Sequence, residues 1–411
     1  MFCAVLLCAT LANYANRVAF TQNSTTIIEA FSTDTEGYGR AEACFNWGFA
    51  AGLLVFGALA DWCGVRLLYP AVVLAWSLAG ASAAWATSLT ELAAGRFFLG
   101  LFEAGHWPCA LRATQRVFKP DQRTWGNSIL QSGAAIGQIF TPLLVAELYA
   151  WDPAQWRITF YAAGLLGVPW AIAWLLTVRE SDLRRPVVQT DETGVGEREL
   201  KEPPLWRILL LRRWWVLLAV VLCINTLWHY VRVWMPLSLE QDHDYGRSFV
   251  GRFTAVYYLM TFLGSLAIGW LTAWLPRRGW NVHRARLAAF AVCGLLSAFA
   301  IPAAFARHGP LVLGCLLVVG LGSLGLFPIY YSLNQEISAK HQGKVGASLG
   351  FCAWFTMSYV HLGVGWLLKD HPALRPYLFA AAGLGPLLAW LVLAAGWGRR
   401  DAAAGDGNRG G

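Results

Sequence analysis

Long apolar runs alternate with short polar breaks along the whole chain. The runs fall at about 2–28, 43–60, 67–88, 89–112, 125–149, 157–178, 213–239, 250–275, 286–306, 309–333, 344–368 and 376–397. At about 1.5 Å of rise per residue, runs of this length match the roughly 30 Å hydrocarbon core of a bilayer. The pattern predicts an all-α membrane protein with twelve transmembrane helices. The first run lacks a basic lead and a cleavage site followed by a soluble segment, so it reads as a helix rather than a signal peptide. Its start almost at Met1 leaves essentially no tail, the pattern of a misassigned start or a lost tail.

The one long polar segment divides the runs into six and six. It contains Arg184-Arg185-Pro186, Asp191-Glu192-Thr193-Gly194 and Glu202-Pro203-Pro204, the composition of a linker. The expected organisation is a six-helix half over 1–178, a linker over 179–212, a second half over 213–397 and a tail over 398–411. A shift of 212 residues lays Asn13, Gly52 and Gly57 on Asn225, Gly264 and Gly269, and places Arg17 on His229. Leu99-Gly100-Leu101-Phe102 also matches Leu324-Gly325-Leu326-Phe327. Two repeated halves joined by a polar segment is the plan of an alternating-access transporter.

Composition agrees and removes other classes. The chain is 57% hydrophobic and 14% charged, with mean hydropathy +0.46, against about a quarter charged in soluble proteins. A net charge of +8 invites nucleic acid as partner, but the basic residues follow sidedness instead. With the amino end inside, cytoplasmic loops and tail hold 22 of the 32 Lys and Arg, and the outer loops seven. The positive-inside rule then puts the N and C termini in the cytoplasm. Lean loops point to a multi-pass protein of a bacterial inner (plasma) membrane, with the lipid bilayer as its solvent and no nucleic acid. The nine cysteines have no metal or redox spacing. Gly320-Leu321-Gly322-Ser323-Leu324-Gly325 spells a dinucleotide fingerprint inside an apolar run and reads as close helix packing. Asn23-Ser24-Thr25 is a glycosylation sequon at the end of the first run, too close to the membrane to carry meaning. No Walker loop occurs, so neither a cofactor nor ATP is expected; the proton gradient expected as energy source is what the family resemblance described below implies.

The charged residues inside the apolar runs carry the candidate chemistry. Arg96 and Glu103 are seven positions apart in the fourth run. On a helix that spacing places them within about 20° of one face and roughly 10 Å apart. A charge at the bilayer centre costs about 3 kcal/mol on insertion scales, so such residues face a cavity or a partner. A structural bridge between the two is the competing reading of the pair.

Three motifs resemble one family. Gly57-Ala58-Leu59-Ala60-Asp61-Trp62-Cys63-Gly64-Val65-Arg66 resembles the loop 2–3 signature of the major facilitator superfamily, with Trp62 in place of a basic residue. Gly95-Arg96-Phe97-Phe98-Leu99-Gly100-Leu101-Phe102-Glu103-Ala104-Gly105 with Pro108 resembles helix 4 of its anion:cation symporters, the hexuronate, galactonate and sialin-like carriers. Asn13-Tyr14-Ala15-Asn16-Arg17 resembles that family's Asn-Tyr-x-Asp-Arg, and Asn127 through Gln131 to Gly137 resembles its helix 5 opening. The resemblance implies the major facilitator fold and symport of a small organic anion, such as a hexuronate or aldonate, with protons. It implies that Arg17 holds the substrate carboxylate beside Asn13, Tyr14 and Gln131. It further implies that Glu103 exchanges the proton while interacting with Arg96, and that Asp61, Gly64 and Arg66 form a cytoplasmic gate. A buried guanidinium keeps its charge and forks onto carboxylates. Burial disfavours a carboxylate's charged form while a nearby cation favours it, which links proton to substrate.

The chain departs from that pattern in two places. Asn16 replaces a titratable aspartate, and helix 11 offers Ser348, Trp354, Tyr359 and His361 where asparagines are expected. In the second half Asn225, Trp228, His229 and Trp354 are the candidate substrate contacts, and Arg232 reads as snorkelling toward the outer end. A monomer is expected, with no metal site. A neutral sugar or polyol carrier and a drug:proton antiporter are the competing transport readings. A transport-fold receptor would need an added soluble domain, and a membrane-embedded enzyme, which would make this chain catalytic, would need clustered His, Asp and Glu at one face.

Overall fold

The computed structural model describes residues 2–117, 120–152, 156–183, 205–337 and 342–397. Most of the linker (184–204) and the tail (398–411) lie outside them. The described chain is helical, with no strand. The first half runs α1 (Phe2–Gln22), α2 (Ser24–Ala30), α3 (Thr35–Trp62), α4 (Val65–Ser82), α5 (Leu89–Glu103), α6 (His106–Val117), α7 (Pro120–Trp151), α8 (Ile158–Leu165), α9 (Gly167–Thr177) and α10 (Glu180–Leu183). The second half runs α11 (Leu205–Ile208), α12 (Arg212–Gln241), α13 (Arg247–Arg277), α14 (Val282–Ser297), α15 (Ala300–Phe305), α16 (Pro310–Ser323), α17 (Leu326–Gln335), α18 (Gln342–Asp370) and α19 (Arg375–Gly396).

Eleven helices or helix pairs among the described residues are long and apolar enough to cross a membrane, one fewer than expected. The missing one is the run at 89–112. It is divided between α5 and α6, and Arg96, Glu103 and His106 dilute its apolar character. It nonetheless packs inside the first half, against α3 and α4.

The division has a repeated cause. Gly100, Gly105 and Pro108 recur as Gly320, Gly325 and Pro328, a shift of 220, and α16 and α17 part at the second set as α5 and α6 part at the first. Proline lacks an N–H and crowds the carbonyl four residues back, so each helix restarts there. The glycines allow closeness to equivalent neighbours. A Cβ on Gly105 would meet Phe56 and Val72 at 2.9 Å, and one on Gly325 would meet Ile268 at 2.8 Å and Cys293 at 2.9 Å. Phe56 and Ile268 are themselves related by the shift of 212. The structure therefore corrects the pairing of 99–102 with 324–327, which is five residues out of register.

The halves meet at one end of the bundle, the end opposite both termini, here called the far end. One apolar cluster there mixes both halves, with Phe20 and Tyr38 against Leu227, Trp234 and Tyr257. At the terminal end the clusters separate. Tyr69, Trp76 and Trp174 belong to one half, and Trp214, Phe290 and Leu349 to the other. Polar ties across the halves also gather at the far end. Arg247 bridges to Glu29 at 2.6 Å and Lys369 to Glu36 at 2.9 Å and Asp34 at 3.2 Å. Partial burial pushes the Asp34 carboxyl up, but the Gly37 N–H and Lys369 outweigh it and hold it below its ordinary range, so this tie keeps its charge at neutral pH. Small residues let α3 and α18 touch, since a Cβ on Gly39 would fall 2.5 Å from the His361 carbonyl oxygen.

The α3–α5 contact is as tight, because a Cβ on Gly100 would lie 2.1 Å from the Phe45 carbonyl oxygen. Backbone cannot rotate away as a side chain can. Gly100→Ala is expected to cost about 1–3 kcal/mol by overpacking, read as a lower thermal midpoint of the purified protein in detergent; an unchanged midpoint would contradict this packing.

Candidate functional site

Five charged side chains meet in the interior between the halves. Asp34 caps α3 by accepting from Gly37 N–H at 2.9 Å, which starts that helix early and carries Glu42 two turns into it. Glu42 is fully buried and both carboxylate oxygens are engaged. Oε2 accepts from Arg96 Nη2 on α5, and Oε1 from Arg232 Nη2 on α12 at 2.6 Å. This carboxylate thus joins two arginines from opposite halves. Nearby, Arg17 on α1 donates from Nε to Glu103 Oε2 at 2.7 Å, with exposures of 6% and 0%.

Aromatic rings supply the walls. The Arg17 guanidinium lies 4.6 Å from the Phe49 ring centre, 5.1 Å from Tyr14 and 5.4 Å from both Phe45 and Trp354. Arg96 lies 4.1 Å from Phe20 and 4.3 Å from Phe45. Ring faces attract these cations where water cannot solvate them. Two histidines complete the second half's side. His229 meets the Trp354 ring edge-on at 4.7 Å and accepts from Arg232 Nη2 through Nδ1 at 3.4 Å. His361 accepts from the Trp234 indole N–H through Nδ1 at 3.3 Å.

Several buried polar atoms here have no protein partner: Arg17 Nη2, Glu103 Oε1, Asn13 Oδ1, Arg96 Nε and Nη1, Arg232 Nη1 and both amide atoms of Asn46. Buried polar groups are almost always paired, so unmatched groups in one region are the chemistry expected of a polar ligand site. A cavity of about 430 Å³ lies elsewhere, at the far end of the second half between Trp234, Leu316, Arg375 and Phe379. It is off the path between the halves, and Asp242 engages its buried Arg375 at 2.5 Å.

The expected residues divide into those that converge and those that do not. Tyr14, Arg17, Arg96, Glu103, His229 and Trp354 line the cluster, and Asn13 donates to the Glu103 carbonyl oxygen at 3.4 Å. The expected Arg96–Glu103 contact is replaced by two separate pairs, Arg96 with Glu42 and Glu103 with Arg17. Arg232 does not snorkel; it is 6% exposed and faces inward. Asn225 bonds the Val221 carbonyl of its own helix at 2.8 Å, and Trp228 packs against Tyr258 and Phe327. Arg66 donates to the Val178 carbonyl oxygen at 3.2 Å, within its own half. Gly64 has an ordinary φ of −65°, so the turn needs no glycine. The side chains of Asp61 and Gln131 lie outside the described residues. Sequence reasoning passed over Glu42 and Asn46 and named His361 only as a departure on helix 11; the Asp34 cap was the signal that would have put Glu42 inside a helix.

Asn16 turns away from the arginines. Its amide N–H groups go to the carbonyl oxygens of Ala12 at 3.0 Å and Ala163 at 3.2 Å, and its oxygen faces Gly80. It fastens α1 to its neighbours. Asn16→Asp would set a carboxylate oxygen against those carbonyls and should lower stability at neutral pH by about 1–3 kcal/mol, measured by thermal unfolding; wild-type stability would contradict the placement.

Comparison with known proteins gives the family and the fold. The sequence pattern of the Major Facilitator Superfamily matches residues 5–360. The chain is 26% identical over 408 residues to the D-galactonate transporter of Escherichia coli O6:H1, covering 94% of this chain and 92% of that protein. It is 22% identical to the hexuronate transporter of Escherichia coli K12, covering 95% and 93%, and 23% identical to the galacturonate transporter of Dickeya chrysanthemi, covering 78% and 89%. In fold it is similar to a bacterial homologue of the human lysosomal transporter Spinster, captured inward-facing and unoccupied, at 16% identity. The TM-score is 0.72 over 96% of this chain and 94% of that one.

Proposed function

The chain belongs to the Major Facilitator Superfamily and is a multi-pass membrane transporter, and we propose that its cargo is a small sugar-acid anion carried with protons by alternating access. The observation that carries this reading is the buried Arg17–Glu103 pair, in which each partner keeps one atom unmatched, Nη2 and Oε1. A proton on Glu103 removes the charge that holds Arg17. The guanidinium then forks onto a substrate carboxylate, a strong and geometrically specific pairing. Proton and anion so enter the same site by one exchange. The tyrosine and tryptophan rings around Arg17 suit a sugar backbone, and the spare N–H groups of Arg96 and Arg232 suit its hydroxyls. The relatives named for galactonate, hexuronate and galacturonate support the cargo class. Three interior arginines against two glutamates favour an anion over a cationic drug or a neutral sugar.

The direction of opening follows from charge. Basic loops place the terminal end in the cytoplasm, so the closed far end faces outward and this is an inward-facing form. The halves 1–178 and 213–397 rock about the cluster, with residues 179–212 as the connection. Asp61, Gly64 and Arg66 act as the cytoplasmic latch in the opposite state, for which Arg66 exchanges the Val178 carbonyl it now holds. One chain holds the whole cluster, so a monomer is the functional unit.

Proteoliposomes loaded with purified protein test this. Labelled galactonate or glucuronate uptake should rise with an inward proton gradient, and Glu103→Gln should lose that dependence. Arg17→Gln should lower uptake about thirtyfold or more, the scale expected when one member of a buried charge pair is removed. Gradient-driven uptake that survives Glu103→Gln would move the proton elsewhere, and uptake of neither acid by folded protein would end the sugar-acid reading.

A further inference from the structure

We infer that the second half carries a headgroup site for an anionic phospholipid at its terminal end, built around the arginines that join α13 to α14. The inference does not depend on the cargo and needs only the placement of the helices in a bilayer. The internal repeat sets these arginines apart. The shift of 212 that lays Gly57 on Gly269 also lays Arg66 on Arg278 and Asp61 on Ala273. The second half thus keeps the arginine of this loop and drops the carboxylate. It also adds Arg277, Arg284 and Arg286 where the first half has Val65, Val72 and Leu74. Among the described residues at this end of the second half (205–215, 272–287, 333–337 and 342–346), seven arginines and one lysine stand against a single carboxylate, Glu336. Glu336 is engaged by Arg286. Arg277 and Arg284 are exposed and have no ion pair among the described residues.

Sidedness explains the sign of these charges, but it does not explain a shaped recess among them. A cavity of about 510 Å³ opens between the start of α14, the end of α17 and the end of α19, lined by Asn281, His283, Arg284, Arg286, Glu336 and Trp397. Arg213 backs it, with its guanidinium 5.1 Å from the Trp397 ring centre and its Nε donating to the Trp397 carbonyl oxygen at 3.3 Å. Guanidinium groups fork onto phosphate as they do onto carboxylate, so the recess suits a phosphate group. Its position at the membrane surface favours a lipid as the source. Trp270 and Trp280 on the approach are exposed, and Arg278 lies 5.0 Å from the Trp274 ring centre, the pairing of indole and cation found at headgroup level. The two helices that frame the recess also offer a path for acyl chains. At 1.5 Å of rise per residue, exposed Leu391 lies about 9 Å in from Trp397, and exposed Leu295 about 13 Å in from Arg286. Basic pockets between transmembrane helices are suited to anionic headgroups.

The probes are phosphatidylglycerol and phosphatidylcholine with the same acyl chains, added to the purified protein in detergent and followed by native mass spectrometry. The wild-type chain should retain one phosphatidylglycerol under conditions that strip phosphatidylcholine. Arg284→Gln with Arg286→Gln should weaken that retention roughly thirtyfold, the scale of two arginines beside an anionic headgroup. Arg179→Gln with Arg207→Gln removes the same charge from the same end of the bundle, outside the recess, and should leave retention near wild type. Equal retention of the two lipids by wild type would overturn the inference, and this arm needs no variant to fold. Equal loss in the two double variants, each shown to keep the wild-type thermal midpoint, would overturn it too, since general surface charge would then hold the lipid. Inorganic phosphate that displaces phosphatidylglycerol at equal concentration would overturn the lipid source and leave a soluble phosphate as the ligand. No cargo is present in any arm, so failure here leaves the sugar-acid reading untouched.

Discussion

Three guanidinium groups held away from water between apolar helices need carboxylates within hydrogen-bond reach, and most of this architecture can be understood as meeting that need. Desolvating a charge costs several kcal/mol unless close partners repay it. Glu103 serves Arg17, Glu42 serves Arg96 and Arg232, and ring faces of Phe20, Phe45, Phe49 and Trp354 cover what the carboxylates do not. Because Arg232 comes from the second half and Glu42 from the first, one of the pairings that partner these charges also ties the halves together.

The internal repeat explains where this chemistry is concentrated. Glycine and proline recur at equivalent breaks in α5–α6 and α16–α17, where a Cβ on Gly105 or Gly325 would run into the side chains of the neighbouring helices. The charges are not retained. The shift of 212 sets Arg17 against His229 and Glu42 against Thr254, and the shift of 220 sets Arg96 against Leu316 and Glu103 against Ser323. The first half holds most of the ionic apparatus. The second contributes Arg232, the aromatic Trp354 and the imidazoles of His229 and His361. One scaffold keeps the packing rule in both halves and gives most of the buried charged side chains to one of them.

Much of the fold was legible because hydrophobic runs and glycine contacts are local properties of the sequence. Arg17 and Glu103 were legible for a related reason, since a charge inside an apolar run stands out. Glu42 was not, because it sits just ahead of the apolar run at 43–60 and looks like loop; only the Asp34 cap moves it into α3. The pairing of Arg96 with Glu42 was hidden by the seven-residue spacing to Glu103, which sets a face but cannot reveal a partner on another helix. Arg232 was misjudged for the same reason. Long-range partnership depends on how helices cross, and periodicity along one helix is silent about it.

The central claim, that the halves rock about the cluster when it is filled, is tested most directly by spin-label distances across the halves. With the nine native cysteines replaced, one label pair at exposed Trp85 and Phe249 reports the far end, and another at exposed Leu67 and Trp280 reports the terminal end. On adding galactonate at acidic pH the account predicts a population in which the far-end distance lengthens as the terminal-end distance shortens. Distances that stay fixed, or that change in the same direction at both ends, would contradict it.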